Sequence, residues 1–301
     1  MTAPEVTSAP SPEAETWAER EPGSIRSVLH GLRRHPLGVA GGLLLLLIIA
    51  FCFLGPLFHP TNQTDVDLLN AALPPGSGHP LGTDGNGFDV LGRLMSGGQV
   101  SLRIGLLAAL FATTIGTVYG AVAGLAGGVV DGFMMRLVDV MLSIPFLFFV
   151  LILSARFHAD ALSLSLVIGG FSWLVSARLV RGEVLTLRVR EFVLAAKLMG
   201  ASRRRTILTH LIPNALGVII VNITFQVADA VLVVAALGFL GFGLTYPTAD
   251  WGSQLASGVT YISADYWWLI YPVGGCIVLT VLALNLLADA LRDAVGRRAD
   301  R

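Results

Sequence analysis

Charged residues are scarce in this chain of 301 residues. Asp, Glu, Lys and Arg together make up 13% of it, whereas a soluble domain usually has about 25%. Hydrophobic residues make up 54%, and the mean hydropathy is +0.74. This shortage of charge excludes an ordinary soluble domain and indicates a membrane protein.

Residues for catalysis are also missing. A nucleotide-binding P-loop needs Gly-x-x-x-x-Gly-Lys-Ser/Thr, but the single lysine, Lys197, stands between Ala196 and Leu198. The six histidines show no metal-ligand spacing, and no Gly-x-Ser-x-Gly motif occurs. Cys52 and Cys276, the two cysteines, both lie in apolar runs and are interpreted as packing residues. The sequence therefore predicts a non-catalytic chain that binds no cofactor or metal.

The main feature that the sequence does contain is a set of long hydrophobic runs. A helix of about 20 apolar residues crosses a hydrocarbon core of about 30 Å, and backbone in lipid must be helical to satisfy its hydrogen bonds. The first run follows a polar segment and lacks a cleavage site, so we interpret it as a span and not as a signal peptide. We predict an all-α membrane protein whose six transmembrane helices lie at about 37–58, 102–128, 134–155, 162–180, 215–241 and 267–289.

The basic residues predict an orientation. If the runs alternate across the membrane, nearly all arginines fall on the side of the termini, and only Arg93, Arg103 and Arg156 fall on the other. The positive-inside rule then places both termini in the cytoplasm of a multi-pass inner-membrane protein. Because the arginines cluster at the ends of runs, we expect a lipid bilayer as their partner and no nucleic acid.

The predicted organisation has five parts. It comprises a disordered cytoplasmic tail (1–24), a surface helix and first transmembrane helix (25–58), an extracytoplasmic loop (59–101), a core of five transmembrane helices (102–296) with an inner loop at 181–213, and a cytoplasmic tail (297–301). A second outer loop is expected at 242–266, with Tyr266, Trp267 and Trp268 as interfacial anchors.

Two features of the predicted spans suggest close packing and buried charge. Glycines at 116, 120, 124 and 128 form a stripe that permits close approach of another helix. Asp139 and Asp229 are candidate intramembrane acids. We expect Asp229 to face the bundle interior or a water-filled path, with a purely structural hydrogen bond as the alternative.

The most unusual segment is "AAKLMGASRRRTILTHLIPN", residues 195–214. Gly200 is expected to end one helix and Ser202 to cap the next. We predict that Pro213 breaks the second helix before the fifth span, and that its apolar face carries Ile207, Leu208, Leu211 and Ile212. The result is a pair of short helices suited to a groove of another protein, or alternatively an amphipathic loop held by anionic lipid.

This segment resembles the "EAA" loop of permease subunits of binding-protein-dependent ABC importers. The matching residues are Ala195, Ala196, Gly200, His210, Ile212 and Pro213. Three further stretches resemble the C-type subunit of the dipeptide, oligopeptide and nickel branch: 79–105 ("HPLGTDGNGFDVLGRLMSGGQVSLRIG"), 236–252 and 267–296. The sequence departs from the family pattern at Leu194, where the family has glutamate, at Val234, where it often has an acid, and at Phe88, where it has arginine.

The resemblance implies a type I importer permease fold with a cytoplasmic coupling helix. Expected partners are a B-type permease in a heterodimer, two ATPase subunits that hold ATP and Mg²⁺, and an extracytoplasmic binding protein. The coupling loop would use Glu191, Ala195, Ala196, Gly200, His210 and Pro213. Asp229 is the candidate for the translocation path because of its charge within a predicted span, not because of the resemblance. The expected cargo is short peptides. Nickel or another small solute, a stand-alone proton-coupled carrier, and a scaffold without transport activity remain alternatives.

Overall fold

The protein is a bundle of long helices. The computed structural model describes residues 35–76, 78–156 and 160–296, so the predictions for 1–24, 25–34 and 297–301 lie outside the described residues. Within these ranges the helices are α1 (Pro36–Phe58), α2 (Val90–Ala126), α3 (Gly128–Leu142), α4 (Phe146–Ser154), α5 (Ala161–Leu187), α6 (Glu191–Leu198), α7 (Ile212–Phe239), α8 (Trp251–Val259) and α9 (Tyr271–Gly296).

Five helical stretches are long and apolar enough to cross a membrane: α1, α2, α5, α7 with the turns before it, and α9. A sixth crossing results if α3 and α4 form one span. These two are bent by 74° at Pro145, where a continuous helix had been predicted. Proline lacks an N–H and disfavours helical backbone in the residue before it, which explains the break.

Helices α2 and α5 meet along the predicted glycine stripe. A Cβ added at Gly116 would lie 2.7 Å from the carbonyl oxygen of Trp173, and one at Gly124 would lie 2.8 Å from Val184 Cγ1. The two backbones are therefore in direct contact, as the spacing predicts. Gly128 does not belong to the stripe, because it begins α3 and has no atom within 4 Å of an added Cβ.

Helix α2 begins at Val90 and not at 102, so the first loop ends earlier than predicted. The side chain of Asp89 caps it by accepting a hydrogen bond from Gly92 N at 2.7 Å. At this loop end of the bundle, Arg93 donates to the carbonyl oxygen of Pro247 at 2.8 Å and lies 3.9 Å from the ring centre of Phe88. Phe88 is thus a buried packing residue, and Val234 likewise lies in the hydrophobic core.

The loop predicted at 242–266 folds back into the bundle as α8. Asp250 caps this helix in a reciprocal arrangement with Ser253, and burial raises the pKa of the Asp250 carboxyl. Trp251 is fully buried, and its indole N–H donates to Leu94 O at 2.9 Å. Of the predicted interfacial anchors, Trp267 is exposed, whereas Trp268 is buried under the loop.

The approach to α7 differs from the prediction. A turn at Arg203–Arg205 and a π-helix at Thr206–Leu211 lead into α7 without a break. In this wider turn Ile212 N donates to Ile207 O, and the side chain of Asn214 donates to His210 O at 2.6 Å. Pro213 therefore continues the helix and does not break it, because the π-turn removes the i−4 carbonyl clash that a proline makes in a regular α-helix.

Candidate subunit-docking surface

The segment between α5 and α7 forms a compact projection, here called the insert (residues 188–211). Gly200 ends α6 with φ +83°, in the left-handed region that favours glycine. Two hydrogen bonds of 3.0 Å close the turn, from Gly200 N to Lys197 O and from Ala201 N to Ala196 O. This pair is the Schellman arrangement. Ser202 then caps the next helix, because its side chain accepts a hydrogen bond from Arg205 N. The predicted helix end at Gly200 and the predicted cap at Ser202 are thus confirmed.

One side of the insert is anchored to the bundle. Val193 of α6 and Leu211 of the π-helix are fully buried in a cluster with Ala121, Val180 and Val184. The hydrogen bonds of a π-helix join residues five positions apart, and Thr206 and Leu211, which have this spacing, both face inward. The predicted apolar face is therefore wrong for Leu208, which is 54% exposed, and only partly right for Ile207 and Ile212, which are half-buried.

The opposite side of the insert is exposed and largely apolar. In α6 the spacing i, i+3, i+4 and i+7 places Glu191, Leu194, Ala195 and Leu198 on one face. All four are exposed, with Leu198 at 89% and the following Met199 at 82%. We call these five residues the docking face. Adjacent exposed apolar side chains on a projecting segment are typical of a protein interaction site.

The structure divides the predicted coupling residues into two groups. Glu191, Ala195 and Gly200 are exposed on or beside the docking face. By contrast, Ala196 is buried against the bundle, and His210 and Pro213 are half-buried. The His210 ring lies 6.5 Å from the Phe192 ring of α6. The second group thus shapes the insert from within, and a role of all six in coupling stays a prediction.

Ion pairs tie the insert end of α5 to neighbouring helices. Arg181 binds Asp131 of α3 through two hydrogen bonds of 2.5 and 2.7 Å. Arg188 donates to Gly124 O of α2 at 2.9 Å. A third contact pairs Arg178 with Asp139, one of the two predicted intramembrane acids. Bidentate arginine–carboxylate pairs fix geometry as well as charge, so these contacts join the insert, α2, α3 and α5 mechanically.

The other predicted intramembrane acid, Asp229, lies on the exposed surface of α7. It does not face the interior of this chain's own bundle, and none of the described side chains hydrogen-bonds it. One and two turns earlier, Gln226 and Asn222 are buried and donate to Ser176 of α5 at 2.7 Å each. A line of polar groups on α7 therefore ends in a carboxylate at the surface.

Comparison with known families identifies this architecture. Residues 116–301 match the family described as binding-protein-dependent transport system inner membrane component. The chain belongs to this family. Residues 24–75 of this permease also match the N-terminal transmembrane domain of oligopeptide transport permease C.

Relatives along nearly the whole chain agree with the family match. This permease is 40% identical to the oligopeptide transport system permease protein OppC of Escherichia coli K12, over 93% of this chain and 95% of the relative. It is 32% identical to OppC of Bacillus subtilis, over 97% and 95%. It is 36% identical to the dipeptide transport system permease protein DppC of Bacillus subtilis, over 90% and 84%.

Family membership confirms several predictions. The chain is a multi-pass inner-membrane component of a transport system that works with further ABC components, and it is not itself the catalytic part. A cofactor is not expected on such a component. Among residues 35–76, 78–156 and 160–296, no group of His, Cys, Asp and Glu is placed to hold a metal ion.

Proposed function

We propose that this permease moves short peptides into the cell, together with a B-type permease that completes the path. The observation that carries the proposal is the insert, which presents an exposed apolar docking face and is bonded to α2 through Arg188. The insert continues directly from α5, which is paired with α3 through Arg181 and Asp131. Similarity to oligopeptide and dipeptide permeases supports the cargo. An extracytoplasmic binding protein would deliver the peptide.

In the proposed mechanism the insert is the coupling element. Both termini and the insert lie in the cytoplasm, and the docking face fits a cleft of one of two ATPase subunits, which hold ATP and Mg²⁺. Closure of the ATPase pair displaces the insert. Because Arg188 bonds the insert to α2 and Arg181 of the adjoining α5 bonds to α3, the movement passes to these helices as a rigid-body shift. The path then opens alternately to the two sides.

Asp229 is proposed to line this path at the contact with the second permease. An acid at the centre of a bilayer costs about 2.5–3.5 kcal/mol on insertion scales. Asp229 is exposed on a membrane-crossing helix, so contact with lipid alone is unfavourable. A partner helix or a water-filled path offers the polar surroundings that the described part of this chain does not supply.

Replacing Asp229 with asparagine tests this placement. The substitution keeps the shape and removes the charge, so assembly should persist while peptide uptake falls by about tenfold, which corresponds to roughly 1.4 kcal/mol on a barrier. Asp229→Glu, which keeps the charge, serves as the matched control and should retain most uptake. If Asp229→Asn takes up peptide as well as the unaltered permease does, Asp229 does not line the path.

The transport function itself is tested by purification and reconstitution. We expect a second permease and two P-loop ATPase subunits to co-purify in mild detergent. Vesicles containing this complex should accumulate labelled peptide only when ATP and the binding protein are both supplied. Accumulation driven by a proton gradient alone would favour a stand-alone carrier. If the binding protein binds Ni²⁺ but not peptides, nickel would be favoured as the cargo.

A further inference from the structure

A cavity of about 310 Å³ opens at the base of the insert, away from the docking face. It is lined by Leu125 near the end of α2 and by Lys197, Ala201, Arg203 and Thr206 of the insert. None of the five docking-face residues borders it. The cavity therefore needs an explanation separate from subunit docking.

Two cations in this cavity lack acidic partners. Among the described residues, no carboxylate forms an ion pair with Lys197 or Arg203. The arginines of α5 differ, since Arg178 and Arg181 are each paired with an aspartate. Thr206 is already bonded, because its hydroxyl donates to Ser202 O at 3.1 Å. A lysine and an arginine around one open space favour a phosphate as ligand.

The other wall of the cavity is formed by α2. Leu125 belongs to the last turn of a membrane-crossing helix. One and two turns earlier on the same face, at i−3 and i−7, lie the exposed side chains Val122 and Val118. Val122 and Val118 thus form an apolar track that starts where the basic cavity ends. A soluble phosphate or an acidic protein side chain would use the cations but not this track.

We propose that the cavity binds the phosphate of an anionic phospholipid, whose acyl chain lies along Val118 and Val122. Lys197 and Arg203 would contact the headgroup at the surface where α2 leaves the hydrocarbon core. This assignment rests on the proposed function only in placing the insert at the cytoplasmic membrane surface, where anionic lipid attracts basic residues. A lipid in this position bridges α2 and the insert, so the lipid composition of the membrane regulates coupling.

The test compares two double variants in the full complex. Lys197→Gln with Arg203→Gln removes both charges from the cavity. Arg204→Gln with Arg205→Gln removes the same charge from exposed neighbours that do not line it. Each complex is purified from vesicles of phosphatidylglycerol and phosphatidylcholine, and retained phosphatidylglycerol is counted by native mass spectrometry. We expect the cavity variant alone to lose one bound phosphatidylglycerol, and its ATP hydrolysis to lose most of the stimulation by that lipid.

Four results would overturn the proposal. Equal retention by all complexes would show that the cavity holds no lipid, and equal loss by both variants would indicate diffuse attraction only. Displacement of the lipid by millimolar inorganic phosphate would point to a soluble anion. Loss of the ATPase subunits from the cavity variant with unchanged lipid retention would assign the cavity to an acidic side chain of that partner. Lipid counting does not require transport, so absent peptide uptake with normal retention would count against the proposed function alone.

Discussion

Replacing Gly200 with tryptophan is expected to abolish ATP-driven uptake while leaving the amount of permease in the membrane unchanged. The residue has φ +83°, and a side chain in this region costs about 1–2 kcal/mol. A Cβ at this position meets no atom within 4 Å, so the chain still folds. The indole would project beside Leu198 and Met199 and obstruct the cleft that receives the docking face. Uptake into proteoliposomes at matched permease content measures the effect.

Two controls separate obstruction from backbone strain. Asparagine tolerates the left-handed region, so Gly200→Asn should retain most uptake. Gly128 also has positive φ, +54°, and open space around it, but lies outside the insert. We expect Gly128→Trp to transport, and the ATPase subunits to co-purify with it but not with Gly200→Trp. Undiminished uptake by a well-inserted Gly200→Trp chain would contradict docking through this face.

Replacing Gly120 with leucine should strongly destabilise the fold. A Cβ here would lie 2.9 Å from Arg181 N and still closer to Ala177 O. Both are backbone atoms of α5, so no side chain can move aside. The helices would have to separate, which removes the packing of Val184 and displaces the Arg181–Asp131 pair. Overpacking usually costs about 1–3 kcal/mol, and we expect a value at or above the upper end here.

The matched control for Gly120 is Gly275 of α9, another glycine in a membrane-crossing helix. An added Cβ at Gly275 meets no atom within 4 Å, so Gly275→Leu should leave the melting temperature nearly unchanged. Thermal unfolding in detergent, followed by the loss of monodisperse permease, compares the two variants. Equal melting temperatures would show that α2 and α5 do not depend on the glycine contact.

Local chemistry allowed much of the fold to be predicted. Hydrophobic runs located the spans, and the spacing of Gly116, Gly120 and Gly124 identified the face of α2 that meets another helix. The early start of α2 was missed, because its first turns contain Arg93, Gln99 and several glycines and do not resemble a span. The cap supplied by Asp89 and the burial of Trp251 depend on loops that the hydrophobic pattern does not place.

In the insert, too, some features were predictable from the sequence and others were not. Gly200 and Ser202 were predictable because capping depends on neighbouring residues in the chain. Leu208 was assigned wrongly because the hydrophobic pattern was read with the α-helical period, whereas the structure has a π-turn. Pro213 was assigned wrongly because a proline breaks a regular α-helix, and the π-turn before it was not foreseen. The pair of Arg181 with Asp131 joins residues 50 positions apart, and sequence spacing carries no information on such contacts. Helical periodicity likewise could not show which surface of the bundle carries Asp229.

Helix α2 has 37 residues and is about 55 Å long, well beyond the hydrocarbon core of about 30 Å. Its first turn holds Pro247 through Arg93, and its last turns carry Gly124 and Leu125 beside the insert. A small tilt of α2 about its contact with α5 therefore moves the two ends of α2 in opposite directions. If the insert docks to an ATPase subunit as proposed, a ligand that favours one tilt at the Arg93 end of α2 also changes the affinity of the docking face for that subunit. Thermodynamic reciprocity makes the two factors equal.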